Sequence, residues 1–237
     1  MVAVVEDLTP VCIGVDVGQI HDPTAISVAE SMQRDTGKLR YTEPIHSLGH
    51  FEDGKWVVPD GVEKVVVSEY TIRHIRRLPI GTSYPDVSLH IADMLCNPLF
   101  ARRVVRVLID VTGVGRPVYD DLQKEIGLRK ETRHVSLQPI SFVHGERYNR
   151  STGALGKAYL VSRLQSLLQG GRVHAPDTAE VKVMLEELRV YEIKVDQDGK
   201  DTYGATIGKH DDLATALGLS CLEDPFGDRV TYSKRIY

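Results

Sequence analysis

Two short apolar runs in this chain each stop at an aspartate, and this constrains the fold more than any other feature. Val11-Cys-Ile-Gly-Val runs into Asp16, and Val104-Val-Arg-Val-Leu-Ile runs into Asp110. Runs of this length and composition read as buried strands. A carboxylate at the end of a buried strand loses hydration at a cost that something must compensate. A third acidic position, Asp211-Asp212, opens a segment with Leu213, Ala216, Leu217 and Cys221 at helical spacing. Acids at such element boundaries stand where the active-site groups of an open α/β sheet gather.

The segments between these points complete the outline. Gly18 and Asp22-Pro23 mark a turn, so residues 11–16 and 24–29 form a hairpin. Residues 31–62 read as loops and short strand-like pieces such as 45–51, extending the sheet, and residues 64–75 as a further strand. Helices are expected over 85–95, over a segment with Pro117 in its first turn and Gly127 near its end, over 155–169, and from Asp177-x-x-Glu180 onward with Val181, Met184, Leu185 and Leu188 as the apolar stripe. Residues 135–142 form a strand in which Pro139 implies an edge or a bulge. Residues 144–153 are polar and read as a mobile loop, and 172–175 as a short strand. Asp198-Gly199 between 191–195 and 202–205 is a hairpin signal. A meander followed by strands alternating with helices gives an α/β fold, a mixed sheet with helices on both faces.

The chain of 237 residues is long enough for one sizeable core. The expected organisation is a single domain over 1–223 and a loose C-terminal tail over 224–237. No apolar run reaches the roughly 20 residues of a membrane span, and the N-terminus lacks the basic start of a secretory signal. Cys12, Cys96 and Cys221 lie far apart, a pattern of reduced intracellular thiols and not of a disulfide framework or zinc site. The net charge of −4 argues against a protein that coats nucleic acid by bulk positive charge. Basic residues are nonetheless bunched, at Arg73, Arg76 and Arg77, at Arg102, Arg103 and Arg106, and at Arg129, Lys130 and Arg133. Each cluster reads first as a solvated face, with phosphate contact as the alternative.

Several carboxylates brought together at strand ends are most simply compensated by an oxygen-seeking divalent cation, magnesium or manganese. Two adjacent aspartates on a helix point about 100° apart, so one can face the metal while its neighbour flanks it. The alternatives are a helix cap, which would suit Asp211, or a turn residue.

The motifs Gly14-Val-Asp16-Val-Gly18, Leu108-Ile-Asp110-x-Thr112-Gly113-x-Gly115 and His210-Asp211-Asp212-Leu213-Ala214-x-Ala216-Leu217 resemble, in order and separation, the three acidic motifs of the nuclease domain of tailed-phage terminase large subunits. Arg77-Leu-Pro-Ile-Gly-x-x-Tyr84, Gly156-Lys157 and Leu185-x-Glu187-Leu188 add to the likeness, which covers about 11–223. The resemblance implies a ribonuclease H-like fold and a two-metal endonuclease that cuts concatemeric double-stranded DNA during phage genome packaging. It implies two Mg2+ or Mn2+ ions, with Asp16 bridging them and Asp110 and one or both of Asp211 and Asp212 completing the site. It further implies an ATPase motor domain or subunit, a portal and a small terminase subunit as partners, and the host cytoplasm as location. Asp22 resembles an auxiliary acid of some members, or is simply a turn residue before Pro23. His210 is a candidate for proton transfer or a plain helix-end residue. Lys157, Lys209, Arg76 and Arg77 are candidates for DNA contact, solvated side chains being the alternative. The sequence departs from a complete large subunit in showing no motor: Ser151–Ala158 lacks the leading glycine and the Ser/Thr of a phosphate loop. Three other readings compete: a phosphotransferase of the actin and sugar-kinase type, which also opens with Asp-x-Gly; a Holliday-junction resolvase of similar fold; and a catalytically idle DNA-binding or assembly module.

Overall fold

A computed structural model describes residues 9–18, 22–42, 50–57, 61–189, 191–195, 201–205 and 211–226. Its first elements are β1 (Val11–Asp16), β2 (Ala25–Thr42), the short pair β3 (His50–Glu52) and β4 (Lys55–Val57), and β5 (Gly61–Arg77). Then come α1 (Tyr84–Leu95), β6 (Val105–Asp110), α2 (Gly115–Leu128), β7 (Val135–Val143), β8 (Tyr148–Asn149) and β9 (Ala154–Gly156). The chain continues with α3 (Lys157–Gln169), β10 (Val173–His174), α4 (Ala179–Arg189), β11 (Tyr191–Val195), β12 (Asp201–Ala205) and α5 (Asp212–Ser220).

Eight strands form one sheet in the order β10-β5-β2-β1-β6-β7-β9-β8. At its centre β1 pairs antiparallel with β2 and parallel with β6, and β6 pairs parallel with β7. The mixed sheet expected from the sequence is thus present, and side-chain alternation sorts its two faces. Val11, Ile13 and Val15 of β1, with Val105, Val107 and Ile109 of β6, pack against Val87, Ile91 and Leu95 of α1 and Val118, Leu122 and Ile126 of α2. Cys12 and Leu108 point the other way, into a cluster with Leu160 of α3 and Leu219 of α5. On that second face Ala25, Ala29, Tyr70 and Ile72 of β2 and β5 pack with residues of α3, α4 and α5. Helices therefore cover both faces. Each fully buried Ile or Leu contributes on the order of 1.5–3 kcal/mol.

One contact sets the depth of α5. A Cβ on Gly14 would lie 2.1 Å from the Ala216 carbonyl oxygen and 2.5 Å from the Ser220 nitrogen. Only glycine at position 14 lets the helix backbone rest directly on β1.

Contacts divide the described residues into two units, one within 1–32 and 70–223 and the other within 33–69 and 224–237. The second unit holds the β3–β4 hairpin, an Arg34–Glu69 ion pair at 2.5 Å and a Ser68-to-Asp224 hydrogen bond at 2.6 Å. No described helix is long and apolar enough to cross a membrane. All three cysteines are free, with Cys12 and Cys221 buried.

Several expectations change. The return strand expected over 24–29 is β2, which continues to Thr42, and the strand over 64–75 is β5, which spans Gly61–Arg77. Within 45–51, only 50 and 51 lie among the described residues, in β3. The polar stretch 144–153 is not a loose loop: β8 pairs with β9. The turn between them is tied by Asn149 Oδ1, which accepts from the Ser151 and Thr152 backbone N–H groups. The helix expected from Leu155 starts at Lys157, because 154–156 are drawn into the sheet beside β7. That pairing begins only at Ser141, so the missing N–H of Pro139 faces a side where β7 has no strand partner. On α4 the buried positions are Val181, Met184 and Glu187, whereas Leu185 is 41% exposed. Strands β11 and β12 pair as the hairpin signal implied, while the Asp198-Gly199 turn lies outside the described residues.

Candidate metal centre

Asp16 ends β1 and Asp110 ends β6. The two strands run parallel in register, with Val15 beside Ile109, so the next residue on each is an aspartate. Adjacent strands lie about 4.8 Å apart, and alternation sends both carboxylates to the face occupied by Cys12, Leu108 and α5. Gly14 holds α5 flat on β1 on that face, and α5 presents Asp212 at its first residue and Asp211 at its N-cap position.

The electrostatics register this convergence. The Asp16 carboxyl is pushed well above the usual carboxylate range, first by burial and then by the charges of Asp110, Asp212 and Asp211, with Lys157 opposing. By surface area Asp16 is only half-buried, but its carboxyl is closely surrounded by protein. Burial also raises Asp110, against the opposing pull of Thr112 and Lys157. Thr112 donates its backbone N–H to Asp110 Oδ1 at 2.7 Å and adds a side-chain hydrogen bond. Its hydroxyl also accepts the Phe142 N–H at 2.8 Å, which ties the Asp110 loop to β7.

Asp211 sits at the N-cap of α5 but makes no side-chain cap hydrogen bond. Its carboxylate lies 3.5 Å from the Lys157 ammonium, which also stands over the Phe142 ring at 5.6 Å. The cap is supplied by another helix. Glu187 of α4, only 6% exposed, accepts the Ala214 N–H at 3.0 Å. Burial raises its carboxyl to about 7, against the pull of that N–H and of Arg77. Arg77 pairs with Glu187 and also lies 3.3 Å from Asp212, which is 7% exposed.

The structure therefore brings together Asp16, Asp110, Asp211, Asp212 and Lys157. Arg77 is turned inward to carboxylates, and Arg76 is half-buried on β5. Asp22 is exposed in the turn before β2 and is not among the main charges acting on Asp16. Lys209 and His210 lie outside the described residues. Sequence reasoning assigned no role to Glu187. Its spacing of three from Met184 and six from Val181 puts a carboxylate on the buried stripe, and a charge there signals a tertiary partner.

Among the described residues, no three His, Cys, Asp or Glu side chains close around one point as a ready cage. The acids are gathered at electrostatic range, with oxygen donors only. Such an open set suits magnesium or manganese, which keep several waters and use few carboxylates, better than zinc. The crowding around Asp16 is of the kind a divalent cation relieves.

The terminase RNaseH-like domain family matches residues 86–223, more than half of the chain. The chain belongs to that family. The matched terminase region contains Asp110, Lys157, Glu187, Asp211 and Asp212, and Asp16 joins them through the register of β1 and β6. No curated protein matches the chain. Among solved structures, the large terminase nuclease of thermophilic phage G20c with bound magnesium is similar at a TM-score of 0.56 and 20% identity, covering 91% of this chain and 82% of that one. The Thermus phage P74-26 large terminase nuclease domain gives 0.50 and 20%, covering 90% and 78%. The manganese-soaked human cytomegalovirus terminase nuclease domain gives 0.52 and 11%, covering 97% and 90%. These likenesses establish the ribonuclease H-like fold expected of a terminase nuclease domain, and membership of the family sets the phosphotransferase reading aside.

Proposed function

We propose that this terminase domain is a two-metal endonuclease that cuts double-stranded DNA during genome packaging. The observation that carries the reading is the pairing of Asp16 and Asp110 at the ends of adjacent parallel strands, on the face covered by the start of α5. Asp16, Asp110 and the 211–212 pair would hold Mg2+ or Mn2+. Bound ions of this kind supply an activated water and stabilise the leaving oxygen of a phosphodiester.

The chain's own residues prepare the site in separable ways. Thr112 fixes the rotamer of Asp110, and Glu187 caps α5 so that Asp211 and Asp212 keep their oxygens for other partners. Lys157 offsets part of the negative charge and can meet a phosphate that enters the centre. The G20c nuclease with bound magnesium and the manganese-soaked cytomegalovirus domain support the cofactor. Membership of a terminase family supports DNA and packaging proteins as partners, which we take to be a motor ATPase, a portal and a small terminase subunit in the host cytoplasm.

Plasmid DNA incubated with the protein and Mn2+ tests the reading. Nicking and linearisation are expected, and Asp16→Asn or Asp110→Asn should abolish both. An Asp16→Asn protein that cuts at the wild-type rate would overturn the assignment. Strong preference for four-way junctions over linear duplex would move it to a resolvase.

A further inference from the structure

A second site of opposite charge adjoins the acid centre. The last five residues of β5 line a cleft of about 550 Å³ whose other wall is the start of α4. Arg73, His74, Arg76 and Arg77 are among its lining residues, Glu180 is the sole carboxylate among those described, and Leu213 also lines it. Leu213 follows Asp212 directly, and Arg77 reaches from the cleft to Asp212 at 3.3 Å. The cleft therefore lies one side chain away from the proposed cutting centre.

The three arginines are not equivalent. Arg73 pairs with Glu30 at 2.5 Å, and Arg77 pairs with Glu187. Arg76 is half-buried, and no described carboxylate pairs with it. Its charge is felt by its neighbours: His74 in the cleft and His90 on α1 are both held below the usual imidazole range, by burial first and by Arg76 next. On a chain with net charge −4, a half-buried guanidinium with no counter-ion among the described residues, beside an imidazole whose protonation it disfavours, marks a local surplus of positive potential. A guanidinium in that state favours an oxyanion that accepts two parallel N–H bonds, and a phosphodiester provides one.

We propose that this cleft is a phosphate track, in which Arg76 holds the backbone of the DNA strand next to the acid centre. The proposal rests on the nuclease reading for its ligand, and it adds the path by which that ligand lies on the protein. Cation and anion sites side by side divide the labour: the track fixes the strand through its unreactive phosphates, and the acids act on one phosphate further along.

Binding of a short fluorescein-labelled duplex, followed by anisotropy in EDTA over a range of NaCl concentrations, tests the track without requiring cleavage. Arg76→Ala should weaken binding several-fold and lower the salt slope of log K by about one, the value for one lost phosphate contact. Arg76→Glu should weaken it further. Lys124→Ala, which removes a charge on α2 that is paired with Asp121, should leave the slope unchanged. Wild-type affinity and slope in both Arg76 variants would overturn the track. The track falls equally if the Arg76 variants lose binding of a polyglutamate peptide while duplex binding stays intact, since the cleft would then be a protein-docking site. An Arg76-dependent duplex affinity in a protein that cuts no DNA would support the track and sink the nuclease reading alone. Cutting by the wild type, with Arg76 variants that bind as well as it does, would do the reverse.

Discussion

The carboxylate of Glu187 on α4 accepts the backbone N–H of Ala214 on α5 at 3.0 Å, so one helix caps another. A helix start leaves its first N–H groups without partners, and the residue at the N-cap usually satisfies one of them. Here the N-cap residue, Asp211, faces Lys157 instead.

Truncating that cap should cost both stability and metal affinity. Glu187→Ala removes an acceptor from α5 and leaves Arg77 short of a partner, a loss of about 1–3 kcal/mol. Glu187→Gln keeps an oxygen for Ala214 and should recover most of it. Thermal melting in EDTA reads the stability, and isothermal titration with Mn2+ reads the site. Identical melting of the alanine variant and the wild type would show that α5 needs no help from α4.

Gly14→Ala should be among the most damaging small changes in the protein. The added methyl meets backbone atoms of α5 at 2.1 and 2.5 Å, and a backbone has no rotamer to give. Overpacking of this kind costs about 1–3 kcal/mol. Lifting α5 also separates Asp212 from Asp16, so Mn2+ binding should fall further than stability alone explains. Guanidinium unfolding and Mn2+ titration together distinguish the two losses.

Thr112→Val keeps the shape of the side chain and deletes its hydroxyl. Asp110 then loses one of the two hydrogen bonds that hold its carboxylate, and the Phe142 N–H loses its acceptor. Groups that orient a ligand typically contribute about 10- to 100-fold in metal affinity. We expect a drop within that range in Mn2+ titration, with circular dichroism unchanged. Wild-type affinity in Thr112→Val would remove Thr112 from the site.

Proton binding sets the pH behaviour of the metal-free protein. Glu187 titrates near 7 in the fold against an ordinary 4.5, and Asp16 is shifted in the same direction. The folded state therefore holds protons that the unfolded chain has released. The Glu187 part of the resulting stabilisation is fully present below about 4.5 and is lost as pH rises through about 7, and the Asp16 part acts with the same sign. Urea midpoints in EDTA should fall over that window. Saturating Mn2+ favours the ionised form of Asp16, so the stabilisation it gives should grow with pH. A Mn2+ effect independent of pH would contradict the assignment of Asp16 as a ligand.

The parts of the fold that were readable in advance share a cause. Asp16 and Asp110 stood out because an apolar run leads straight into each acid, a pattern that needs no knowledge of neighbours. The far half of β2 was hidden because Met32-Gln-Arg-Asp-Thr-Gly-Lys has no alternation of apolar and polar residues, and only pairing across the sheet makes it a strand. Tyr148–Asn149 and Ala154–Gly156 were hidden for a related reason: the Asn149 side chain organises their turn, and local composition shows only polarity. Glu187 illustrates the general limit. Its place on the buried stripe of α4 was there to be counted, but its two partners, Arg77 and Ala214, lie 110 and 27 residues away.

The seating of α5 on β1 has a consequence for timing. The centre draws Asp16 from the end of β1 and Asp211 and Asp212 from the start of α5, almost two hundred residues later. A chain still leaving the ribosome, or one whose α5 has come undocked, carries Asp16 and Asp110 without the remainder of the set. On the nuclease reading proposed above, such a chain could not cut, and the set is complete only when α5 settles onto β1.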